Sequence, residues 1–275
     1  MVLADFSKAF DTVNYMILIT QLSTLGFSKL FLRWSNSYLS DRSHFVQIDD
    51  RTSESVNVRF GVPQGSILGP MLFNLCVSDL QDHLPFSIGS FQYADDTTIY
   101  SSCPAPELQR CAQELNSSRN TVSSWSNNPH LALNLKKTKT MLLSTRQMSR
   151  VCIYSLDRNR PTITISDSTL EYVNVSKLLG VHIHQHLIWD EHVPATCKSC
   201  YGTIQIIRKL ENFVGYRLRK HLVESLVLSK LDHCDTVYYP LPEFQVKRFQ
   251  RAHLIAASFV LIRYANNIND IVKIG

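Results

Sequence analysis

The chain has 275 residues, of which 44% are hydrophobic and 19% are charged, and its formal net charge is +5. This composition excludes a disordered chain, and the length is sufficient for one large domain or two smaller ones. The mild positive charge permits a polyanionic partner such as a nucleic acid but does not require one.

Hydrophobic patterning predicts a first region that mixes strands and helices. Met1 to Asp5 indicates a buried strand that ends on a carboxylate, and residues 91–100 indicate a hairpin that turns at Asp95-Asp96. The predicted elements follow in chain order: a strand over 1–5, a helix ending at 26, a helix over 30–39, a hairpin over 44–60, a helix over 66–80, the hairpin over 91–100, a long helix over 104–125, and strands over 133–144, 162–166 and 177–183.

The pattern becomes helical from about Glu191 onward, and Pro240 and Pro242 interrupt these helices. We therefore place a domain boundary near residues 186–190 and expect two domains, 1–186 and 187–275. No apolar run is long enough to predict a membrane span, and no signal peptide is evident. We expect an intracellular protein of the cytoplasm, the nucleus or both, not secreted and with no membrane partner.

The seven cysteines are irregularly spaced, which is typical of free thiols in a reducing compartment, so no disulfide partner is expected. His182, His184 and His186 alternate along one predicted strand, and the pair Cys197 and Cys200 follows them. Histidine and cysteine side chains are the usual ligands of zinc, so such a set is able to bind a zinc ion. Two observations argue against a zinc site. The two cysteines fall on a predicted helix, and no second cysteine pair follows them in the sequence.

Two pairs of adjacent carboxylates lie in predicted hairpin turns, Asp49-Asp50 and Asp95-Asp96. A solvated turn is sufficient to explain Asp49-Asp50. The second pair differs, because the strand that ends at Asp5 would bring a third carboxylate to the same sheet edge if the two elements lie side by side. Such oxygen ligands suit Mg²⁺, and two ions about 4 Å apart are able to activate an attacking hydroxyl and stabilise a leaving oxygen. The chemistry that fits is nucleotidyl transfer.

Residues 61–70 form a loop, Gly-Val-Pro-Gln-Gly-Ser-Ile-Leu-Gly-Pro, that leads into a predicted helix. Its glycines allow close backbone approach, and a helix N-terminus favours anionic groups. Gln64 is able to hydrogen-bond the edge of a base or a sugar. Taken alone, a loop of this composition is a tight turn in most proteins.

Three segments resemble motifs A, B and C of the reverse transcriptases of non-LTR (LINE-type, CR1/Jockey-like) retrotransposons: Asp5-Phe-Ser-Lys-Ala-Phe-Asp11, the loop over 61–70, and Tyr93-Ala-Asp-Asp96. Further segments over 133–138, 177–192, 222–241 and 254–259 resemble later regions of these enzymes. The resemblance covers essentially the whole chain. It implies an α+β palm, with an antiparallel sheet backed by helices, followed by an α-helical thumb-like region. It also implies an N-terminally truncated copy in which the fingers are largely absent.

The resemblance implies an RNA-directed DNA polymerase, a nucleotidyltransferase that adds dNTPs to a primer 3′-OH with two Mg²⁺ ions, for which Mn²⁺ is a possible substitute. Its partners would be an RNA template and a DNA primer. Asp5 and Asp95 would bind both metals, Asp96 would support them, and the carbonyl of Phe6 would be a further ligand. An alternative is a catalytically inactive truncated remnant that retains at most nucleic-acid binding.

Other roles follow from the same resemblance. Phe10 would block a 2′-OH, Gln64 and Gly65 would contact the nucleotide or template, Tyr93 would pack near the primer end, and Lys137 would donate a proton to the pyrophosphate. Core packing for Phe10 and a solvated surface for Lys137 are the competing interpretations. Basic residues of the helical region could follow a duplex backbone or form solvated faces: Lys198, Arg208, Lys209, Arg217, Arg219, Lys220, Lys247, Arg248 and Arg251.

Overall fold

The structure is a computed structural model that describes residues 1–127, 131–155, 160–165 and 168–261. The chain divides into two compact units, Met1–Asn174 and a second one that begins at Val175. This division falls earlier than the boundary expected near 186. The reason is a hairpin beginning at Val175, which belongs to the second unit.

The first unit contains short strands, which form one main sheet and several two-stranded hairpin sheets. Their bounds are β1 (Val2–Ala4), β2 (Arg42–His44), β3 (Gln47–Ile48), β4 (Arg51–Thr52), β5 (Val56–Val58), β6 (Gly89–Tyr93), β7 (Asp96–Tyr100), β8 (Lys139–Thr140), β9 (Thr164–Ile165), β10 (Ser168–Thr169) and β11 (Glu171–Tyr172). The main sheet has five strands in the order β11-β8-β1-β7-β6. All its pairings are antiparallel except that of β11 with β8.

The first unit also contains helices, most of which contribute side chains to one hydrophobic core. Their bounds are α1 (Ala9–Thr12), α2 (Tyr15–Thr24), α3 (Lys29–Leu39), α4 (Leu68–Val77), α5 (Leu80–His83), α6 (Leu108–Ser117), α7 (Arg119–Asn127) and α8 (Arg146–Ser155). The core joins Val2 and Ile99 of the sheet to Leu18 of α2 and Phe73 of α4. Burial of such side chains is the main favourable contribution to the free energy of folding, so this core fixes the position of the central strands. The expected α+β fold is confirmed.

Some predicted elements differ from the observed ones. The long helix expected over 104–125 is interrupted near Ser118, between α6 and α7. The strand expected over 133–144 is reduced to β8, because Asn134 caps a turn by accepting the N–H of Lys137 at its side-chain oxygen. The hairpin expected over 44–60 is present, with Asp49-Asp50 at the turn between β3 and β4.

The second unit is mainly helical, as the sequence predicts. Its elements are β12 (Val175–Leu178), β13 (Val181–His184), α9 (His192–Arg208), α10 (Tyr216–Val223), a π-helical turn over Glu224–Leu228, α11 (Ser229–Leu231) and α12 (Glu243–Leu261). Its core includes Ile204 of α9, Val227 of the π-helical turn and Phe259 of α12. None of the described helices is both long and apolar enough to cross a bilayer.

The strand expected over 177–183 is a hairpin, so that prediction was wrong. Leu179 and Gly180 form its turn with φ angles of 46° and 89°. Both angles lie in the left-handed region, which the turn of a two-residue hairpin requires and which a leucine rarely adopts. The apolar run therefore gave no indication of the turn.

Candidate active site

The register of the main sheet brings the carboxylates of two distant segments together. In the β1–β7 pair, Ala4 lies opposite Thr97. Asp5 directly follows Ala4 and Asp96 directly precedes Thr97, so the two carboxylates lie at the same end of the β1–β7 pair. In the β6–β7 hairpin Tyr93 pairs with Asp96, which leaves Ala94 and Asp95 as the turn. The arrangement expected from the sequence, with Asp5, Asp95 and Asp96 at one edge, is therefore the one observed.

The turn that carries Asp95 is strained. Ala94 has a φ of 53°, in the left-handed region that a residue with a side chain enters at a penalty of about 1 kcal/mol or more. Strain of this kind is frequent at functional sites, where the surrounding structure imposes it. Here the sheet hydrogen bonds of β6 and β7 hold the turn in place.

The three carboxylates interact electrostatically. Burial raises the pKa of Asp96, and the nearby carboxylates of Asp95 and Asp5 raise it further. Mutual repulsion of this kind disfavours the ionised state of the cluster. A cation bound at the edge would reverse this effect, because it stabilises the charged carboxylates.

The donor set fits a hard divalent cation in its chemistry, since all three side chains offer carboxylate oxygens. In the described part of the chain, however, no group of three or more His, Cys, Asp or Glu side chains is arranged to hold a metal ion as the side chains stand. The backbone around Asp5 is fixed: its N–H donates to Thr138 Oγ1 at 3.2 Å, and its carbonyl accepts from the N–H of Asn134 at 2.7 Å.

Phe6 and Phe10 are anchored by aromatic packing. Phe6 is buried and meets the ring of Trp125 edge-on, with the ring centroids 6.2 Å apart. Phe10 is half-buried and stacks on Phe73 of α4 at 4.4 Å. Phe10 thus contributes to the core and keeps an accessible face, so both interpretations of this residue remain open.

The loop over 61–70 lies against the segment that follows Asp5. The N–H of Val62 donates to the carbonyl of Phe10 at 2.8 Å, so the two segments are joined by backbone. Gln64 and Gly65 are exposed at the loop surface. The amide Nε2 of Gln64 donates to Asp11 Oδ1 at 2.6 Å. The sequence analysis assigned no role to Asp11, because no local sequence pattern connects it to Gln64, which lies 53 residues later.

Lys137 and Tyr93 are both exposed. Tyr93 is the last residue of β6, directly opposite Asp96. Lys137 lies in the turn before β8, and the same turn supplies Asn134 and Thr138 to the backbone of Asp5. The structure therefore places the Lys137 segment beside β1, while the reach of its side chain toward the carboxylates is not fixed by any described contact.

The cysteine pair and the histidines of the second unit serve different parts of its structure. Cys197 and Cys200 are buried in the core, where the Cys200 thiol donates to the carbonyl of Val227 at 3.8 Å. His182 and His184 lie in β13, and His186 follows the strand. In the described region no such group is arranged around a metal ion.

A cavity of about 480 Å³ lies between α9 and α12 of the second unit. Its lining includes Lys198, Tyr201, Gln205 and Arg248. Burial raises the pKa of Tyr201, and the nearby Arg251 and Arg248 oppose that rise. Among the described residues, these arginines and Lys198 have no carboxylate partner within salt-bridge distance. The surface is therefore able to accept an anion.

Some of the other basic residues are engaged within the unit. Arg219 is buried, and its Nη1 donates to the carbonyl of Glu211 at 3.5 Å, so it neither follows a duplex backbone nor belongs to a solvated face. Lys220 and Lys247 form ion pairs with Glu224 and Glu243, at 3.9 and 2.6 Å.

Residues 1–183 match the family described as reverse transcriptase (RNA-dependent DNA polymerase). The chain belongs to the reverse transcriptase family. The matched range contains β1, the loop over 61–70 and the β6–β7 turn, so the carboxylate edge lies within the part of the chain that defines the family. The resemblance to retrotransposon reverse transcriptases is confirmed.

The relatives of this reverse transcriptase come from mobile elements. The chain is 29% identical over 218 residues to the probable RNA-directed DNA polymerase from transposon BS of Drosophila melanogaster, covering 77% of this chain and 23% of the relative. It is 25% identical over 195 residues to the RNA-directed DNA polymerase from mobile element jockey of the same species, covering 69% and 20%. The reverse transcriptase chain thus spans less than a quarter of either relative.

A solved telomerase structure from Candida tropicalis, in complex with a fragment of telomeric RNA, also aligns with this reverse transcriptase. The TM-score is 0.44 and the sequence identity is 11%, over 99% of this chain and 44% of the telomerase chain.

Proposed function

We propose that this chain is the palm and thumb-like part of an RNA-directed DNA polymerase that adds dNTPs to the 3′-OH of a DNA primer on an RNA template. The observation that carries the proposal is the position of Asp5 and Asp96 at the same end of the β1–β7 pair, with Asp95 beside Asp96 in the hairpin turn. These carboxylates come from two segments of the matched family range. Residues 1–186 would form the palm and 187–275 the thumb-like region.

Two Mg²⁺ ions, or Mn²⁺ in their place, would be held by Asp5, Asp95, Asp96 and the carbonyl of Phe6, and would activate the primer hydroxyl and neutralise charge on the phosphates. The raised pKa of Asp96 supports this assignment, because crowded carboxylates are the groups that a divalent cation relieves.

The remaining residues would position the nucleotide. Phe10, held by its stack on Phe73, would exclude a 2′-OH by steric contact. Gln64 and Gly65 would contact the nucleotide or template from the loop, and Tyr93 would pack against the primer end. Lys137 would donate a proton to the leaving pyrophosphate, which general acid catalysis requires.

The cavity between α9 and α12 supports a nucleic-acid partner for the second unit. Its lysine and arginine are charges that pair with phosphates, and Tyr201 offers an aromatic surface next to them. With such a partner, the protein would act inside the cell, in the cytoplasm, the nucleus or both.

Primer extension on an RNA template, with Mg²⁺ or Mn²⁺, tests the proposal. We expect Asp95→Asn to reduce dNTP incorporation by at least about a hundredfold, because the neutral amide replaces a charged carboxylate that would bind the metal. Asp50→Asn is a matched control, since Asp50 also belongs to a carboxylate pair in an exposed hairpin turn. It should retain full activity.

Unchanged incorporation by Asp95→Asn would contradict the metal assignment. Incorporation by neither protein, together with RNA binding that weakens as salt rises, would instead favour an inactive remnant that keeps its nucleic-acid surface.

A further inference from the structure

The loop over 61–70 and helix α1 are joined by a ladder of contacts. The N–H of Gly61 donates to the carbonyl of Val13 at 2.8 Å, and the N–H of Val62 donates to that of Phe10 at 2.8 Å. These two bonds fix the loop along the backbone of the segment that follows Asp5. The position of the loop is therefore set by main-chain contacts, before any side chain contributes.

Gly61 allows the two backbones to approach closely. A Cβ at this position would lie 2.7 Å from both the Cα and the carbonyl oxygen of Asp11, and the φ of Gly61 is 88°. No larger residue fits such a distance without displacing main chain. The approach brings the following part of the loop, including Gln64, to the exposed side chain of Asp11.

The side chains of Gln64 and Asp11 then meet at the surface. Gln64 Nε2 donates to Asp11 Oδ1 at 2.6 Å, a short distance of the kind found in charge-assisted hydrogen bonds. A carboxylate only accepts hydrogen bonds, so it selects the Nε2 end of the amide and repels the Oε1 end. In the described part of the chain, Oε1 has no protein partner. Asp11 therefore determines which end of the amide remains available.

We propose that Asp11 is a positioning residue, which holds the Gln64 amide so that Oε1 is presented as an acceptor to an N–H or O–H donor of the nucleotide or template. This inference rests on the proposed function, because it assumes that Gln64 faces the substrate. Asp11 does not touch the substrate in this arrangement. The alternative is that the exposed hydrogen bond between Gln64 and Asp11 only stabilises the loop. In that case, removal of the hydrogen bond would leave substrate binding unchanged.

Steady-state primer extension on a double-mutant cycle distinguishes the two. We expect Asp11→Ala to raise the KM for dNTP by about tenfold with a smaller change in kcat, because a freely rotating amide presents the wrong end for part of the time. Asp11→Asn should raise KM less, by about threefold, because its Oδ1 still accepts while its amide also tolerates the flipped Gln64. Gln64→Ala should raise KM by itself, and adding Asp11→Ala to it should have no further effect. Asp50→Asn is the control.

Additive effects of the two substitutions, or an unchanged KM in Asp11→Ala, would overturn the proposal. A second readout is independent of catalysis: in ¹H–¹⁵N spectra the side-chain amide signals of Gln64, assigned by their loss in Gln64→Ala, should move toward values of a free amide in Asp11→Ala and stay in place in Asp50→Asn. If the wild type incorporates no dNTP, the proposed function fails, and the spectra alone decide whether Asp11 orients Gln64. Signals that do not move would refute the orienting contact.

Discussion

At the scale of one residue, Asp96 shows how the proposed metal site lowers the stability of the fold. Burial and the charges of Asp95 and Asp5 raise the pKa of its carboxyl group. The folded protein therefore binds this proton more tightly than the unfolded chain does. The resulting stabilisation is present at low pH and is lost as the pH rises through the raised pKa. At neutral pH the ionised cluster destabilises the fold.

The raised pKa of Asp96 predicts a stability gain from a substitution that we expect to reduce dNTP incorporation. Without divalent cations at neutral pH, Asp95→Asn should raise the melting temperature by about 1 °C, a small effect because solvent screens exposed charges. At about pH 3, where carboxyl groups are mostly protonated, the gain should vanish. Thermal melts followed by circular dichroism measure both.

Mg²⁺ should stabilise the wild type more than Asp95→Asn, because a ligand that binds only the folded state raises its stability. Asp50→Asn should match the wild type in these melts. A lower melting temperature for Asp95→Asn at neutral pH would show that the carboxylates do not repel one another.

At the scale of the element, two glycines of one loop differ in what they permit. Gly61 and Gly65 both have φ angles in the left-handed region, 88° and 79°. The Cβ of an alanine would collide with the backbone of Asp11 at Gly61, whereas at Gly65 it would meet nothing within 4 Å. Of these two glycines, only Gly61 is therefore required by packing as well as by backbone conformation.

Urea unfolding separates the two effects. Gly65→Ala should lower the free energy of unfolding by about 1 kcal/mol, the penalty for a left-handed alanine. Gly61→Ala should lower it by about 3 kcal/mol, because the backbone overlap adds to that penalty. Equal losses in the two variants would mean that the loop moves away from α1 without resistance.

Sequence patterns predicted the elements whose signals are local. The spacing of Leu18 and Leu22 gave α2, and the β-forming residues around Asp95 gave the β6–β7 hairpin. The turn at Leu179 was missed because its leucine occupies a conformation that apolar residues rarely adopt. The carboxylate edge was predicted from the ends of two strands and was supported by the family motifs. The Asp11–Gln64 contact was not predicted, because these exposed residues are far apart in the sequence and form no periodic pattern.

At the scale of the whole molecule, the described residues form two hydrophobic cores, and each contains at least one buried thiol. Burial raises the pKa of Cys76 in the first core to about 12, and that of Cys200 in the second to about 11. Because only the thiolate reacts with alkylating reagents, these thiols are protected both by burial and by their protonation.

Alkylation followed by mass spectrometry should therefore report on each core separately. In the native protein near pH 8, half-buried Cys234 should react at least about a hundredfold faster than Cys76 or Cys200. As urea is raised, the order in which Cys76 and Cys200 become labelled gives the order in which the cores open. Rapid labelling of Cys76 without denaturant would contradict a closed first core.

The pairing of β1 with β7 also determines where the length of this chain is free to vary. Side chains alternate between the two faces of a strand, so one residue inserted before Asp5 within β1, or within β7, would turn carboxylates away from each other. The exposed hairpins over 42–58 bear no such constraint, although they lie between the two strands in sequence. Insertions and deletions in related copies should therefore accumulate in those hairpins and be absent from the two strands.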